Sequence, residues 1–176
     1  MSDFRFLVEI EWPGGKRVVA TVPGKPPIDI ATPAEFKGEF PDRWSPEDFL
    51  VAAVASCYAV TLVAIAGRAD IPLRGLAISA EGAVGREGKG PFGFKAIELD
   101  VTAATDPGRE DDLREAAERA EEGCLVSAAL AVPVRSTVTV TAEIAEARRQ
   151  LVAQTPCGPD ETRPLLVRRH GTAESR

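Results

Sequence analysis

Apolar and polar residues alternate along the first part of the chain. The apolar positions of this row are Phe4, Phe6, Val8, Ile10 and Trp12. A period of two predicts a strand with one face on a hydrophobic core. The turn sequence WPGGKR follows, and the segments Val18–Val22 and Ile28–Ala31 predict a hairpin partner and a short third strand. The stretch Thr32–Trp44 contains prolines, glycine and mixed charges, which favour a loop.

A long helix is predicted from Ser45 to Gly67. Ser45 is a favourable N-cap residue, and Pro46 suits the first helical position because its missing N–H costs nothing there. The next two residues are acidic and face the positive end of the helix dipole. The eighteen residues Phe49–Ala66 then carry no charge. Such a segment is apolar on every side of the helix.

The second half of the chain predicts further strands and a second helix. Leu73–Val84 and Phe94–Ala104 are predicted strands, joined by the glycine-rich connection GREGKGPFG. The segment DPGREDDLREAAERAEEG predicts a helix that ends near Gly123. Its apolar stripe consists of Leu113, Ala116, Ala117, Ala120 and Cys124. The alternating sequence VRSTVTVTAEI predicts a last strand. This order of elements predicts an α+β fold with mainly antiparallel sheet.

The charge-free helix has two interpretations. Eighteen apolar residues are at the lower limit for crossing a bilayer, but the segment is rich in alanine, lacks basic flanks and lies between amphipathic strands. A buried central helix is therefore the better prediction, and no membrane is expected as a partner. A domain of this size seldom encloses a helix completely, so a second subunit is predicted to cover its remaining face in a homodimer.

Charge and cysteine content limit the range of functions, partners and cellular locations that the sequence predicts. The net charge is -6 and the pI is about 5.0, which argues against nucleic acid as a partner. The N-terminus does not look like a signal peptide, and three scattered cysteines do not form a disulfide scaffold, so a cytoplasmic protein is predicted. The lone histidine, His170, lies near the C-terminus. No ligand pattern suggests a metal or another cofactor.

Cys57 and Cys124 can be structural or chemical. Free cysteine is often buried as a small hydrophobic residue. Two thiols that face each other can instead cycle between dithiol and disulfide. Both cysteines stand on predicted helices beside small residues, and their separation of sixty-seven positions neither supports nor excludes contact. Cys157 lies in the polar segment 146–176, which is predicted to be an extension, partly helical or mobile, and no role is assigned to it.

At these cysteines the sequence resembles the OsmC/Ohr family of organic hydroperoxide reductases. SPEDFLVAAVASCY is similar to the segment around the family's first cysteine, and EGCLVSAAL to the segment around the second. The resemblance covers roughly residues 4 to 144, so residues 1–145 are predicted to form an OsmC-like domain and 146–176 an extension. The family implies mainly antiparallel sheets, a buried central helix and an intertwined homodimer.

The resemblance also implies residue roles. Cys57 would be the peroxidatic thiol, which becomes a sulfenic acid, and Cys124 would resolve it as a disulfide. An external dithiol, carried by a lipoylated protein or another thiol donor, would reduce that disulfide. The family keeps the first cysteine ionised with an arginine held by a glutamate. Glu47 matches the glutamate, and Arg17 is favoured over Arg43 as the arginine. About 15 Å of helix separates Glu47 from Cys57, so an intervening arginine, a bend in the helix or the partner subunit must bridge the gap. The hypothesis is a site at the dimer interface.

Departures from the family pattern keep other functions open. Leu125 and Val126 follow the second cysteine where Ohr-type members have proline and tyrosine, so this segment is nearer to the OsmC branch. A non-catalytic member that binds an apolar ligand at the dimer interface is the alternative function. A cysteine hydrolase is disfavoured because no partner histidine is at hand. An apolar approach to the thiol would suit fatty or aryl hydroperoxides better than hydrogen peroxide, and its candidate residues are Phe36, Phe40, Trp44, Phe49 and Tyr58.

Overall fold

The computed structural model describes residues 3–142. The predictions for the extension 146–176, including Cys157 and His170, lie outside the described residues. The strands are β1 (Glu9–Glu11), β2 (Arg17–Thr21), β3 (Ile28–Ala31), β4 (Gly75–Arg86), β5 (Phe92–Ala104) and β6 (Val134–Thr141). The helices are α1 (Pro46–Arg68), α2 (Glu110–Glu122) and the short α3 (Leu125–Ala128), with a single 3-10 turn at Ala34–Phe36. The predicted α+β class and element order are confirmed.

Sheet A contains β1, β2 and β3 in antiparallel order. The predicted first strand is wrong in its length, because β1 covers only three residues. Its predicted burial is also wrong: Phe4, Phe6 and Trp12 are 87%, 95% and 73% exposed. Alternation shows which face of a segment is apolar, but not whether the same chain supplies a surface to cover it. Within residues 3–142 that row has no cover.

Sheet B contains β4, β5 and β6. Strands β4 and β5 form a long antiparallel hairpin in which Gly75 pairs with Ala104, whereas β6 runs parallel to β5 and pairs Val134 with Ile97. The parallel pairing follows from the crossover through α2 and α3, since parallel neighbours need a long connection. The other pairings in both sheets are antiparallel, so the predicted mainly antiparallel sheet is confirmed.

Local interactions at the start of α1 confirm its predicted cap. The Ser45 hydroxyl oxygen accepts a hydrogen bond from the Asp48 N–H at 3.0 Å, and the Ser45 N–H donates to the Asp48 carboxylate at 2.8 Å. This reciprocal capping box satisfies two helix-start donors and stabilises the helix by about 1 kcal/mol. The helix runs to Arg68, one residue past the predicted end.

One face of α1 forms the centre of the core. Its fully buried residues recur every four positions and are Val54, Tyr58, Leu62 and Ala66. They belong to one hydrophobic cluster with the buried stripe of α2, which is Leu113, Ala116, Ala117 and Ala120. The predicted stripe of the second helix is therefore confirmed through Ala120. The small residues of α2 let the two helices approach closely beside sheet B.

The opposite face of α1 is open. Its exposed residues are Ser56, Val60, Val63, Ala64 and Gly67, and Val60 and Val63 keep 65% and 52% of their surface accessible. We refer to these five residues as the open face of α1. By length and composition Pro46–Arg68 could cross a bilayer, but its other face packs on α2 and β4 as a core helix does. The prediction that α1 is buried on all sides is thus fulfilled within this chain for one face of the helix only.

Candidate functional site

Two thiols from distant parts of the chain meet beside α1. Cys57 lies near the middle of α1 and is partly buried, whereas Cys124 follows α2 and is 1% exposed. The two sulfurs are neighbours, because the Cys57 thiol is one of the groups that lower the pKa of the Cys124 thiol. Both are free thiols in this structure. The fold therefore brings together two residues whose separation along the chain neither predicted nor excluded that they are neighbours.

Cys124 lies in the link between α2 and α3. Helix α2 ends at Glu122, Gly123 is its C-cap, and Cys124 has an extended backbone with φ -73° and ψ 105°. The prediction that both cysteines are helical is therefore confirmed for Cys57 and wrong for Cys124. Gly123 ends α2, so the apolar stripe that reaches Ala120 does not continue as helix to the cysteine.

Hydrogen bonds converge on the Cys124 sulfur. The Ser127 hydroxyl donates to it at 3.1 Å. Burial raises the pKa of the Cys124 thiol, but the Ser127 hydroxyl, the backbone amides of Ser127 and Val126 and the Cys57 thiol outweigh it, so the pKa lies below its ordinary value. Hydrogen bonds to the charged form favour the thiolate, which is the reactive form of cysteine. These hydrogen bonds therefore offset the effect of burial on the Cys124 thiol.

Tyr58 follows Cys57 in the chain but points into the core. Its hydroxyl donates to the Ala117 carbonyl at 3.2 Å, and the neighbouring Ser136 hydroxyl donates to the Glu121 carboxylate. Burial, and then the negative charge of Glu121, raise the pKa of Tyr58 to about 12. The hypothesis that Tyr58 lines an approach to the thiol is therefore wrong, because its side chain packs between α1 and α2.

An aromatic cleft opens at the N-terminal end of α1. Its volume is about 570 Å³, and its lining includes Phe36, Phe40 and Phe92. The rings of Phe36 and Phe92 pack edge to face with centroids 5.2 Å apart. We refer to this space as the aromatic cleft; neither cysteine lines it. Of the aromatic residues named from the sequence, Phe36 and Phe40 line the cleft, while Trp44 and Phe49 pack on each other.

Glu47 is one of the residues that line the aromatic cleft. Its Oε2 atom is buried and has no hydrogen-bond partner among the described residues. Glu47 also lines a second pocket of about 610 Å³, which shares Arg43 and Asp48 with the aromatic cleft. A buried carboxylate oxygen without a partner is destabilising. An unsatisfied buried polar atom in a native protein calls for an explanation such as a functional role or an additional partner.

The two candidate arginines lie near the start of α1 rather than beside Cys57. Arg17 pairs with Asp29 at 3.5 Å, sits over the Phe40 ring at 5.7 Å, and lines a small pocket together with Pro46. Arg43 pairs with Asp42 at 3.7 Å and lines both pockets that contain Glu47. In the described part of the chain neither arginine has a salt bridge to Glu47.

Comparison with known proteins identifies the family. The sequence model of the OsmC-like protein family matches residues 38–148. This chain belongs to the OsmC-like family. It is also 30% identical over 135 residues to the uncharacterized protein YmaD of Bacillus subtilis strain 168, a match that spans 74% of this chain and 89% of YmaD. The range matched by the family model, residues 38–148, contains Glu47, Cys57 and Cys124, and excludes Arg17.

Solved structures agree on the OsmC-like fold. An OsmC-like protein of unknown function from Vibrio cholerae aligns with a TM-score of 0.69 at 16% identity, covering 79% of this chain and all of the neighbour. An organic hydroperoxide resistance protein OsmC from Legionella pneumophila aligns at 0.64 and 20% identity, with coverage of 80% and 99%. An organic hydroperoxide resistance protein from Elizabethkingia anophelis aligns with a TM-score of 0.63 at 19% identity, covering 81% of this chain and all of the neighbour. At these identities the likeness shows the fold.

The sequence-based selection of site residues overlooked Ser127. Its hydroxyl contacts the Cys124 sulfur, whereas the sequence predicted no role for Ser127 beyond being a small residue near Cys124. Its position three residues after Cys124 is a recognisable signal, because the third residue of a helix start lies close to the capping side chain. The interaction of Tyr58 with Ser136 and Glu121 was also missed, since it joins α1, α2 and β6 and has no local signature.

Proposed function

We propose that this protein is a thiol-dependent peroxidase that reduces organic hydroperoxides to alcohols. The proximity of the Cys57 thiol to the buried Cys124 thiol, two free cysteines brought together by the fold, carries this proposal. Two free thiols in contact can form a disulfide after a small movement. Membership of the OsmC-like family supports the same chemistry, since some structural neighbours are named organic hydroperoxide resistance proteins. Cys57 takes the first role because it is the more accessible sulfur.

The proposed reaction has three stages. The Cys57 thiolate attacks the terminal peroxide oxygen, so that an S–O bond forms, the O–O bond breaks and the departing alkoxide takes up a proton to give the alcohol. The Cys124 thiolate then attacks the Cys57 sulfenic acid, forming the disulfide and releasing hydroxide, which is protonated to water. Finally an external dithiol supplies two electrons, becomes a disulfide itself and restores both thiols.

The external reductant is a dithiol, carried by a lipoylated protein or by another thiol donor. A dithiol suits this step because its second thiol displaces the protein from the mixed disulfide intramolecularly. We infer a cytoplasmic location, where such thiols are kept reduced.

A homodimer is part of the proposal. The open face of α1 and the N-terminal apolar row both leave large side chains in solvent, and Leu125 beside Cys124 is 82% exposed. Monomeric soluble proteins rarely present extended apolar surface of this kind. A second copy would cover the open face of α1, which complements the buried face described above.

The dimer would also supply the cation that Cys57 needs. Arg17 lies beside Pro46 at the start of α1, and Cys57 is about 16 Å further along the helix. This is beyond the reach of one side chain, so an arginine from the second copy is required. We favour Arg17, with Arg43 as the alternative, and Glu47 as the carboxylate that orients it. The orphan oxygen of Glu47 supports this role, because it is a buried acceptor that lacks a donor.

A substrate comparison tests the proposed function. We expect the reduced protein, supplied with dihydrolipoamide, to consume cumene hydroperoxide at least about tenfold faster than hydrogen peroxide, because each well-buried apolar group of a substrate adds 1 to 3 kcal/mol to transition-state binding. Stopped-flow oxidation and a coupled assay for dihydrolipoamide give the two rates. Equal rates for both peroxides would contradict an apolar substrate site, and no reaction with either peroxide would contradict the proposed peroxidase activity.

Replacing Glu47 separates catalysis from stability. In Glu47→Gln we expect the second-order rate constant for cumene hydroperoxide to fall about tenfold or more, because a neighbouring opposite charge shifts a pKa by one to three units and a displaced arginine no longer provides it. The variant should stay folded in urea denaturation, since glutamine has nearly the shape of glutamate and its amide oxygen can still accept a hydrogen bond from an arginine. Glu81→Gln is the matched control, as exposed Glu81 lines the second pocket. Unchanged kinetics in Glu47→Gln would show that Glu47 does not take part in the reaction.

The aromatic cleft favours a second candidate function. Its lining includes three phenylalanines and neither cysteine, which suits binding of an apolar ligand without thiol chemistry, the alternative derived from the sequence. Binding of 1-anilinonaphthalene-8-sulfonate by the Cys57→Ser, Cys124→Ser double variant, combined with absent peroxide reduction by the unmodified protein, would favour the binding function.

A further inference from the structure

We propose that Ser127 is a positioning residue that makes Cys124 the leaving sulfur when the disulfide is reduced, so that the incoming thiol attacks Cys57. This inference rests on the proposed function, because it concerns the recycling step of the same two cysteines. Its geometric basis is the 3.1 Å hydrogen bond from the Ser127 hydroxyl to the Cys124 sulfur and the unequal exposure of the two sulfurs.

Access favours attack on Cys57. Attack on a disulfide requires the incoming thiolate to approach one sulfur from the side opposite the other. Cys124 is 1% exposed and is enclosed by its own chain in the link between α2 and α3, whereas Cys57 is only partly buried by its own chain. An external thiol therefore reaches Cys57 with less rearrangement of the chain.

Leaving-group stabilisation favours departure of Cys124. A sulfur that is more stable as a thiolate leaves faster in thiol–disulfide exchange. The Ser127 hydroxyl is already aimed at Cys124, and the hydrogen bonds at this sulfur also lower the pKa of its thiol. Ser127 is in α3, directly after the cysteine, so the hydroxyl and the sulfur move together during the reaction.

The electron balance is complete with a dithiol. Its first thiolate attacks the Cys57 sulfur, a mixed disulfide forms, the Cys57–Cys124 bond breaks, and the electron pair of that bond goes to Cys124. The second thiolate then attacks the first sulfur of the reductant and releases Cys57. The reductant leaves as a cyclic disulfide, and both protein thiolates take up protons according to the pH. With a monothiol the sequence stops at the mixed disulfide on Cys57.

Adduct mapping tests which sulfur is attacked. The full chain carrying Cys157→Ser is oxidised with diamide, so that the disulfide forms without any peroxidase step, and is then treated briefly with glutathione and trapped with N-ethylmaleimide. We expect peptide mass spectrometry to find glutathione on Cys57 and maleimide on Cys124, in a ratio of about ten to one. Glutathione mainly on Cys124, or no Cys57–Cys124 disulfide after diamide, would overturn the proposal.

Kinetics of three variants test Ser127 itself. In Ser127→Ala we expect reduction of the diamide-formed disulfide by dihydrolipoamide to slow about fivefold and the adduct to spread over both cysteines, while Ser127→Thr, which keeps the hydroxyl, restores both. Ser79→Ala, at an exposed position of β4, is the control. Normal reduction by Ser127→Ala would refute the role of Ser127 even if the protein is a peroxidase. Absent peroxide reduction with normal disulfide mapping would instead refute only the proposed function.

Discussion

Cys57→Ser is expected to lower the reduction of cumene hydroperoxide by at least about a thousandfold. A serine hydroxyl ionises far above neutral pH and cannot form the sulfenic acid on which the next step depends. Cys57 is only partly buried, so the exchange of sulfur for oxygen should change the free energy of unfolding by less than about 1 kcal/mol. The measurements are stopped-flow oxidation of the reduced protein and urea denaturation.

The companion variant Cys124→Ser should behave differently. Its Cys57 thiol still reacts with one equivalent of cumene hydroperoxide, and dimedone labelling should detect the sulfenic acid that can no longer form a disulfide. Steady-state turnover with dihydrolipoamide should fall strongly. Because Cys124 is 1% exposed, Cys124→Ala is needed beside it to exclude an effect of a buried hydroxyl. A Cys57→Ser protein with full activity, or a Cys124→Ser protein with normal turnover, would overturn the assigned roles.

Val60→Glu is expected to dissociate the homodimer and to lower activity about a hundredfold. Val60 lies on the open face of α1 and is 65% exposed in the single chain. A carboxylate buried there between two subunits without a partner costs several kcal/mol, but in a monomer it faces water at little cost. Activity should fall with dissociation, since the proposed arginine comes from the second copy and preorganised charge of this kind contributes about 10²–10³ in rate.

Sedimentation and peroxidase assays on the same samples check this result. Thr137→Glu adds an identical charge at an exposed position of β6, on the outer face of sheet B, and should leave mass and activity unchanged. Val60→Ala should remain dimeric, because it removes surface without adding charge. A Val60→Glu protein that stays dimeric and active would exclude the open face as the interface, and a monomeric active wild type would exclude the dimer altogether.

Elements whose signals are local follow directly from the sequence. Ser45, Pro46 and Asp48 predict the start of α1 because a capping box involves residues three positions apart, and the structure contains that box. The stripe of α2 is equally readable, since neighbours at helical spacing share one face. The likeness of SPEDFLVAAVASCY and EGCLVSAAL to the OsmC/Ohr family led to the correct family, which the match over residues 38–148 shows.

Residues that depend on packing were placed less well. The alternation from Phe4 to Trp12 predicted a buried strand face, but within the described chain that face is exposed. Cys124 was expected on a helix, yet Gly123 ends α2 before it. Tyr58 was assigned to a substrate approach and instead lies in the core. For the N-terminal row and Tyr58 the error concerned which surface the side chains meet, whereas for Cys124 the helical stripe was extended past the residue that ends α2.

The amino-acid sequence by itself determined the order of helices and strands, the cap and apolar character of α1, and the two cysteine motifs, because these depend on residues close together in the chain. The tertiary structure alone decided that Cys57 and Cys124 meet, that Ser127 hydrogen-bonds to one of the sulfurs, and that an oxygen of Glu47 is buried without a donor. Such contacts join residues far apart or depend on the turn between helices, and their geometry exists only after α1, α2 and sheet B have packed together.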